Sequence, residues 1–218
     1  LKGMTYHSFL KGIEEASKKA ETDYGIVSRY IMNGIRHLGP ESVQQTAKEV
    51  LDNPLPILVG FGLAGDELHF PPALFQSTFD MLYAENYPIT VHAGEWDGPE
   101  NIRKAIELLH PTRLGHGVRS IEDPELVKEI IDKDIVLETC PTSNIATKIY
   151  DSYENHPVKK LFDQGVKITV NSDDPPFFNA TIEGEYKAME ELGLSQQQLT
   201  SLTLNAIESS FCEKEVKN

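Results

Sequence analysis

Three short apolar runs of this 218-residue chain are each followed closely by polar residues that can bind metals or transfer protons. The apolar runs are 89–91, 113–115 and 167–170. The polar residues that follow them are His92 with Glu95, His116, and Asp173 with Asp174. Imidazole nitrogens and carboxylate oxygens are zinc ligands in proteins, and they also serve as general acids and bases. Such clusters at successive strand ends predict a metal and acid–base site of the kind that parallel α/β barrels build at one face.

The residue types suggest how the work would be divided within such a site. A catalytic zinc takes about three protein ligands and keeps one position open for water, whose pKa falls to about 7. His92 and Asp173 are the candidate ligands, one from each side of the predicted barrel mouth. Glu95 would donate or accept a proton on a bound substrate. His116 would orient or deprotonate the attacking water, and Asp174 would hydrogen-bond the substrate.

Each cluster taken alone also has a purely structural interpretation. The residues from Asn171 to Pro175 are turn and helix-cap formers, and a single His-x-x-Glu or Gly-His-Gly is more often structural than catalytic. The occurrence of all three clusters in the same position of one repeating architecture favours a site. The remaining histidines are predicted to be surface or packing residues: His7, His37, His69, His110 and His156.

The elements that must position these residues alternate between strands and helices. The predicted strands are 26–32, 57–61, 89–91, 113–114, 135–137 and 167–170. The predicted helices are 7–21, 41–52, 71–85, 99–109, 124–133, 156–164, 181–192 and 196–211. Short, apolar strands without alternation are typical of a parallel sheet that is covered on both faces.

The positions of the polar clusters favour a closed ring over an open sheet. In an open α/β sheet, ligands bind at a switch point between two strand ends. Here the candidate residues follow the third, fourth and sixth predicted strands, and these ends converge only in a ring. The sequence therefore predicts an α/β fold of the (β/α)₈ TIM-barrel type, of the metal-dependent hydrolase kind. About six of the eight units would be present, in a single domain over residues 1–218.

Composition restricts the partners and the compartment. The net charge of −14 argues against nucleic acid or an anionic membrane as partner and is compatible with a small-molecule substrate. Cys140 and Cys212 are too few and too far apart for a disulfide framework, so we expect a reducing, cytoplasmic setting. The stretch from Leu1 to His7 lacks a signal-peptide pattern, and no apolar run approaches the roughly 18 residues of a membrane span.

Five segments of the chain resemble, in order, the signature segments of the adenosine deaminase family within the amidohydrolase superfamily. They are Gly60–Glu67 (GFGLAGDE), Val91–Glu95 (VHAGE), Leu114–Gly117 (LGHG), Cys140–Asn144 (CPTSN) and Val170–Pro175 (VNSDDP). The segment from Ala206 to Phe211 resembles the family's C-terminal end. The resemblance extends from about Ile57 to Pro175, and the combination of motifs is highly specific.

The resemblance implies a mononuclear zinc aminohydrolase of purine salvage. Such an enzyme deaminates adenosine (and deoxyadenosine) to inosine and ammonia. By motif, it implies that His92 and Asp173 ligate one zinc ion. It also implies that Glu95 protonates purine N1 and that His116 helps to activate water and steer it onto C6.

Two further substrate contacts are implied by the same resemblance. Asp174 would hydrogen-bond purine N7, and the backbone of Gly65 would contact N3. The predicted partner is therefore a purine nucleoside.

The sequence departs from the family pattern in one respect. The family supplies two more zinc ligands from a His-x-His at the end of its first strand, and this sequence contains no His-x-His. The first predicted strand corresponds to the family's third, so the chain resembles the later two thirds of the enzyme. We therefore expect weak zinc binding and an inactive or incomplete form, with two unpaired sheet edges that favour association.

Several alternatives remain open at the level of sequence. Adenine or another aminopurine is the second substrate class, although the run from Gly62 to Glu67 favours the nucleoside. A binuclear amidohydrolase is disfavoured because residues 57–67 contain no bridging lysine, and AMP deamination because no basic cluster is visible. From a different class, the chain could be a non-catalytic binding protein on the same barrel. The retained Glu95, His116 and Asp174 argue against that alternative.

Overall fold

A six-stranded parallel sheet with helices between its strands forms the centre of the computed structural model, which describes residues 5–217. Each strand pairs with the next strand along the chain, in the order β1 to β6. The strands are β1 (Tyr30–Ile35), β2 (Leu58–Ala64), β3 (Ile89–Ala93), β4 (Arg113–His116), β5 (Val136–Thr139) and β6 (Ile168–Val170). The partial (β/α) architecture predicted from the sequence is confirmed, and β1 and β6 are the outer strands of the sheet.

The helices cover the sheet between successive strands. The main ones are α1 (Tyr6–Tyr24), α2 (Pro40–Asp52), α3 (Gln76–Ala84), α4 (Pro99–Leu109), α5 (Pro124–Asp132), α6 (Pro141–Ala146), α7 (Val158–Asp163), α8 (Pro175–Phe178), α9 (Ile182–Glu191), α10 (Gln196–Ser209) and α11 (Lys214–Lys217). Short 3₁₀ helices span Arg36–Leu38, Pro72–Phe75 and Val118–Glu122. Several helices begin with proline, whose fixed φ and missing N–H suit the first helical turn.

The core lies between the sheet and the helices. Helix α4 shows how it forms, because Ile102, Ala105 and Leu109 recur at helical spacing and are completely buried. Strand β3 is equally apolar at its start, where Ile89 and Val91 are buried. Strands covered on both faces keep this apolar character along their length, so the polar residues at their carboxyl ends stand out as exceptions.

The structure corrects two predicted elements and adds a helix that the sequence does not predict. The first strand begins at Tyr30 rather than at Ile26, and Ile26 is 57% exposed. Gly25 ends α1 in the left-handed conformation, and the chain then runs irregularly until Tyr30 pairs with β2. The helix predicted from residue 71 starts as a 3₁₀ turn and becomes α-helical only at Gln76. Helix α6 was not predicted at all.

Two expectations concern the ends of the chain and membranes. Residues 1–4, which begin the segment without a signal-peptide pattern, lie outside the described residues, as does residue 218. Among the helices within residues 5–217, none is both long enough and apolar enough to cross a membrane.

Candidate active site

A cavity of about 340 Å³ opens at the carboxyl ends of β3 to β6. Among the residues that line it are His92, His116, Cys140 and Asp173. His92 lies in β3, His116 ends β4, Cys140 follows β5 and Asp173 follows β6. Four neighbouring parallel strands thus contribute to one cavity, because their carboxyl ends lie at the same edge of the sheet.

The predicted acid, the predicted histidines and one predicted carboxylate lie close together, and all of them except Glu95 line this cavity. His116 Nε2 lies 3.4 Å from Glu95 Oε2 and 3.8 Å from Asp173 Oδ2. The rings of His92 and His116 are 5.0 Å apart between centroids. Candidate ligand atoms lie within 4.8 Å of one another in two triads that share His116, one with His92 and Glu95 and one with Cys140 and Asp173.

Two of these residues have an unusual backbone conformation. His116 has a φ of 60° and Asp173 a φ of 55°, in the left-handed region that side chains other than glycine rarely adopt. This conformation costs on the order of 1 kcal/mol or more at each residue, and it concentrates at functional sites. Both residues lie at the end of a strand, and both line the cavity.

Gly115 provides the space that the His92 ring occupies. The two residues are paired across β3 and β4, and a Cβ built on Gly115 would lie 2.5 Å from His92 Cδ2. A methyl group at this distance would displace the imidazole, because it would overlap the ring carbons. The absence of a side chain at residue 115 therefore sets the position of a predicted metal ligand.

Replacing Gly115 with Ala is expected to weaken zinc binding by about 10-fold or more, since displaced ligand geometry lowers metal affinity. Competition with a chromogenic chelator would measure the zinc affinity of the 218-residue chain. The matched control is Gly12→Ala on α1, where a new Cβ has no neighbour within 4 Å. Unchanged zinc affinity in G115A would show that His92 is not a ligand or that its ring tolerates displacement.

The segment that carries Glu95 is fixed by hydrogen bonds to the buried carboxylate of Glu67. The backbone N–H of Gly94 donates to Glu67 Oε2 at 2.9 Å, and the N–H groups of Glu95 and Asp97 donate to the same carboxylate at 3.3 Å each. Three donors fix one short loop, so Glu67 determines where the Glu95 side chain starts. Burial raises the pKa of Glu67, and these N–H groups act in the opposite direction.

Arg36, in the 3₁₀ helix that follows β1, supports the same segment. Its guanidinium, completely buried, donates to the carbonyl of Phe70 at 2.6 Å and to the carbonyl of His92 at 2.8 Å. Burial lowers the pKa of Arg36 to about 10, and the charge of Glu67 partly offsets this effect. The sequence alone predicts no role for Arg36 or Glu67, because each acts through contacts with residues distant in the chain.

The electrostatics of the cavity suit a proton donor beside a neutral imidazole. Burial raises the pKa of Glu95 to about 8, and the nearby charges of Glu67 and Asp173 add to this effect. Burial also lowers the pKa of His116 well below its usual value, and His92 adds to the shift. At neutral pH the Glu95 carboxyl therefore carries a proton and the His116 ring does not carry a charge.

The first turn of the unpredicted helix α6 contacts two of the site residues. Ser143 Oγ donates to Asp173 Oδ2 at 2.6 Å, and the side-chain amide of Asn144 lies 3.2 Å from His116 Nδ1. His156 contacts Asn144 from the other side, with its Nε2 3.1 Å from Asn144 Oδ1. Ser143 and Asn144 belong to a signature segment of the sequence, which assigns neither a role, and His156 is predicted from the sequence to be a surface or packing residue.

We expect the free energy of unfolding of the chain to depend on pH through His156. Burial lowers the pKa of His156 from 6.5 to about 4. The unfolded chain takes up this proton below about pH 6.5 and the folded chain only near pH 4, so stability falls as the pH falls through this window. Between pH 7 and pH 4, unfolding by urea should show wild type losing about 3 kcal/mol more than His156→Gln, which cannot titrate there. Parallel losses in the two proteins would contradict the assignment.

Two predicted substrate contacts lie elsewhere. Asp174 is exposed at the start of α8, next to the inward Asp173, and is not among the residues that line the cavity. Gly65 follows β2 with a φ of 101°, and a Cβ there would meet His37 Nδ1 at 2.9 Å. The structure thus brings together His92, Glu95, His116 and Asp173, and it leaves Asp174 and Gly65 outside this group.

Comparison with known proteins finds similarity over nearly the whole chain. A family model described as adenosine deaminase matches residues 1–218. The adenine deaminase of Sinorhizobium medicae is 39% identical over 213 residues, which are 97% of this chain and 66% of that protein.

Solved structures show the same similarity. An adenine deaminase from Arthrobacter aurescens has a TM-score of 0.92 and 26% identity, with 99% of this chain and 66% of that chain covered. An amidohydrolase from Burkholderia ambifaria, solved with bound zinc, has the same TM-score and identity, with 99% and 60% covered. The chain spans slightly less than two thirds of the length of the relatives that it matches.

Proposed function

Because this chain belongs to the adenosine deaminase family, we propose that it carries the acid–base half of a hydrolytic 6-aminopurine deaminase, with adenine as the first substrate to test. The observation that carries the proposal is the proximity of Glu95 and Asp173 to His116, which lines the same cavity as His92 and Asp173. A buried carboxyl that keeps its proton at neutral pH is suited to protonate a ring nitrogen.

The proposed reaction adds water to C6 of the purine and expels the amino group. Glu95 donates its proton to N1, which makes C6 more electrophilic, and His116 hydrogen-bonds the oxygen that attacks C6. One proton of the attacking water restores the Glu95 carboxyl and the other passes to the amino group. The C6–N bond then breaks, ammonia leaves, and adenine becomes hypoxanthine with the proton retained on N1. Fixed polar groups around developing charge stabilise the tetrahedral state between these steps.

The donor set at the cavity fits zinc in its ligand types. His92 and Asp173 offer the imidazole nitrogen and carboxylate oxygen that zinc prefers, and the relative from Burkholderia ambifaria holds this metal. Bound zinc supplies a hydroxide at neutral pH by lowering the pKa of a water ligand. In the chain, Ser143 fixes the Asp173 carboxylate and Gly115 leaves room for the His92 ring.

We propose that additional zinc ligands come from outside these 218 residues. The sequence contains no His-x-His, and two ligands are fewer than a catalytic zinc takes. The outer strands β1 and β6 offer backbone groups with which strands carrying such ligands could pair. The chain alone is then expected to bind zinc weakly and to turn over slowly or not at all.

The proposed preference for adenine over adenosine is supported by the curated relatives, which are named adenine deaminase. The run from Gly62 to Glu67 favoured the nucleoside in the sequence, but its Glu67 binds backbone N–H groups and its Gly65 faces His37. The Glu67 carboxylate is thus occupied within the protein, and the names of the relatives support adenine as the first substrate to test. Adenosine stays as the second candidate because the matching family model describes adenosine deaminase.

The test uses a fusion protein, in which the part of the Sinorhizobium medicae relative outside the matched region precedes this chain. With zinc, the ultraviolet absorbance of adenine and of adenosine is followed at equal concentrations. We expect steady conversion of adenine to hypoxanthine with a higher kcat/KM than for adenosine. A fusion protein that folds, binds zinc and deaminates neither substrate would contradict the proposal.

A further inference from the structure

We propose that Asn144 and His156 are positioning residues that fix the proton of the neutral His116 ring on Nε2, the nitrogen that faces the cavity. The inference comes from a chain of four hydrogen-bonded groups. It rests on the proposed function only for its catalytic consequence, and the position of the proton can be measured without any turnover.

The direction of this chain is set at one end by a group that can only donate. The backbone N–H of Val158 donates to His156 Nδ1 at 3.2 Å, so this nitrogen must present its lone pair. A neutral imidazole then carries its proton on Nε2. His156 Nε2 lies 3.1 Å from Asn144 Oδ1, and it therefore donates to that oxygen.

The hydrogen bond between Asn144 and His116 has a fixed direction as well. Because Asn144 accepts from His156 through its oxygen, its amide nitrogen must point the other way, where His116 Nδ1 lies 3.2 Å distant. An amide NH₂ can only donate, so His116 Nδ1 also presents a lone pair. The proton of the neutral His116 ring is thereby placed on Nε2, toward the carboxyl oxygens of Glu95 and Asp173 at 3.4 and 3.8 Å.

Burial protects this arrangement from water. Asn144 is completely buried, and His116 and His156 are 1% and 2% exposed, so water cannot readily replace any of the three side-chain partners. A reversed amide would place NH₂ against the N–H of His156 and a carbonyl against the lone pair of His116, two unfavourable contacts in a buried setting. Tyr150 packs edge-on against the His156 ring, at 4.8 Å between centroids, and limits its rotation.

The fixed tautomer changes the role expected of His116. A ring with its proton on Nε2 offers an N–H to an oxygen in the cavity and has no free lone pair there to remove a proton. In the deaminase proposed above, His116 would then stabilise the attacking oxygen and the charge that develops on it. The sequence alone is compatible with His116 either orienting or deprotonating the attacking water, and the hydrogen-bond chain favours orientation.

The direct test is long-range ¹H–¹⁵N NMR of the histidine rings in the 218-residue chain labelled with ¹⁵N-histidine. In wild type we expect a protonated Nε2 and an unprotonated Nδ1 for both His116 and His156. Asn144→Asp should reverse His116, because a carboxylate can accept from both neighbouring rings and so draws a proton to His116 Nδ1. His116 protonated on Nδ1 in wild type, or an unchanged ring in N144D, would overturn the proposal.

Two further variants separate a role in positioning from a role in folding. His156→Gln retains an N–H donor toward Asn144 and should keep the wild-type state of His116, whereas His156→Met lacks the donor and should give a mixture of tautomers. If N144D does not fold, this pair decides the question, because identical His116 spectra in the two variants would overturn the proposal. Asn155→Asp, an exposed change in the same loop, is the matched control.

The catalytic consequence is measured separately in the fusion protein. Loss of a fixed donor to the attacking oxygen should lower kcat for adenine by roughly 100-fold in N144D, with a much smaller change in KM. Reversal of the tautomer without activity in any form would refute the proposed function and leave the positioning role intact. Wild-type kcat in N144D with a reversed tautomer would refute the catalytic consequence.

Discussion

Replacing Glu95 with Gln is expected to lower kcat for adenine by about 100-fold to 10,000-fold in the fusion protein, the range for loss of a positioned general acid. Glutamine keeps the size of the side chain and a hydrogen-bond donor, but it cannot transfer a proton to the purine ring. Glu95 is 13% exposed and its pKa is raised to about 8, so the wild-type carboxyl is protonated at neutral pH. Steady-state kinetics by ultraviolet absorbance would measure the loss, and equilibrium binding of hypoxanthine should change little.

The matched control for this prediction is Glu122→Gln. Glu122 lies on the rim near Glu95 and pairs with Arg119 at 2.7 Å, but it is a surface carboxylate with no contact to His116. Its replacement should leave kcat within about twofold of wild type, since exposed ion pairs contribute little. If E95Q retained more than about a tenth of wild-type kcat, Glu95 would not be the proton donor.

Replacing Arg36 with Met is expected to lower the free energy of unfolding by about 3–5 kcal/mol, the range for breaking a buried charge interaction from one side. The change leaves the carbonyls of Phe70 and His92 without their donor and leaves the buried Glu67 carboxylate without a nearby positive charge. Urea unfolding of the 218-residue chain, followed by circular dichroism, would measure the loss.

Arg103→Met is the control, because Arg103 pairs with Asp123 and Glu129 at a partly exposed position, whereas Arg36 is completely buried. It should destabilise the chain far less than R36M. Equal losses in the two variants would mean that the buried contacts of Arg36 have no special weight. In the fusion protein, R36M should also weaken zinc binding, because the carbonyl of His92 loses its support.

Most of the fold can be predicted from the periodicity of apolar residues. The elements that are predicted wrongly or missed have local causes. Helix α4 was predicted with its observed limits because its apolar face is regular and Pro99 begins it. The first strand was placed too early because Ile26 and Val27 are apolar but exposed. Helix α6 was missed because its six residues include proline, threonine, serine and asparagine, which favour turns when read locally.

The candidate site also contains residues that the sequence predicts and residues that it does not. His92, Glu95, His116 and Asp173 are predicted because each lies at the carboxyl end of a strand or just after it, and a parallel sheet gathers such residues at one edge. The residues that hold them were not found, because a supporting contact depends on where distant segments meet. His156 illustrates the difference. Its neighbours in the sequence indicate no function, and its role follows from a hydrogen bond to Asn144, twelve positions earlier.

The measurement that tests the account most directly compares the 218-residue chain alone with the fusion protein, both with zinc, in one assay of adenine conversion to hypoxanthine. We predict sustained conversion by the fusion protein, its loss in E95Q, and little or none by the chain alone. Activity that survives E95Q, or a folded, zinc-loaded fusion protein without activity, would contradict the claim that these residues carry the acid–base half of a purine deaminase.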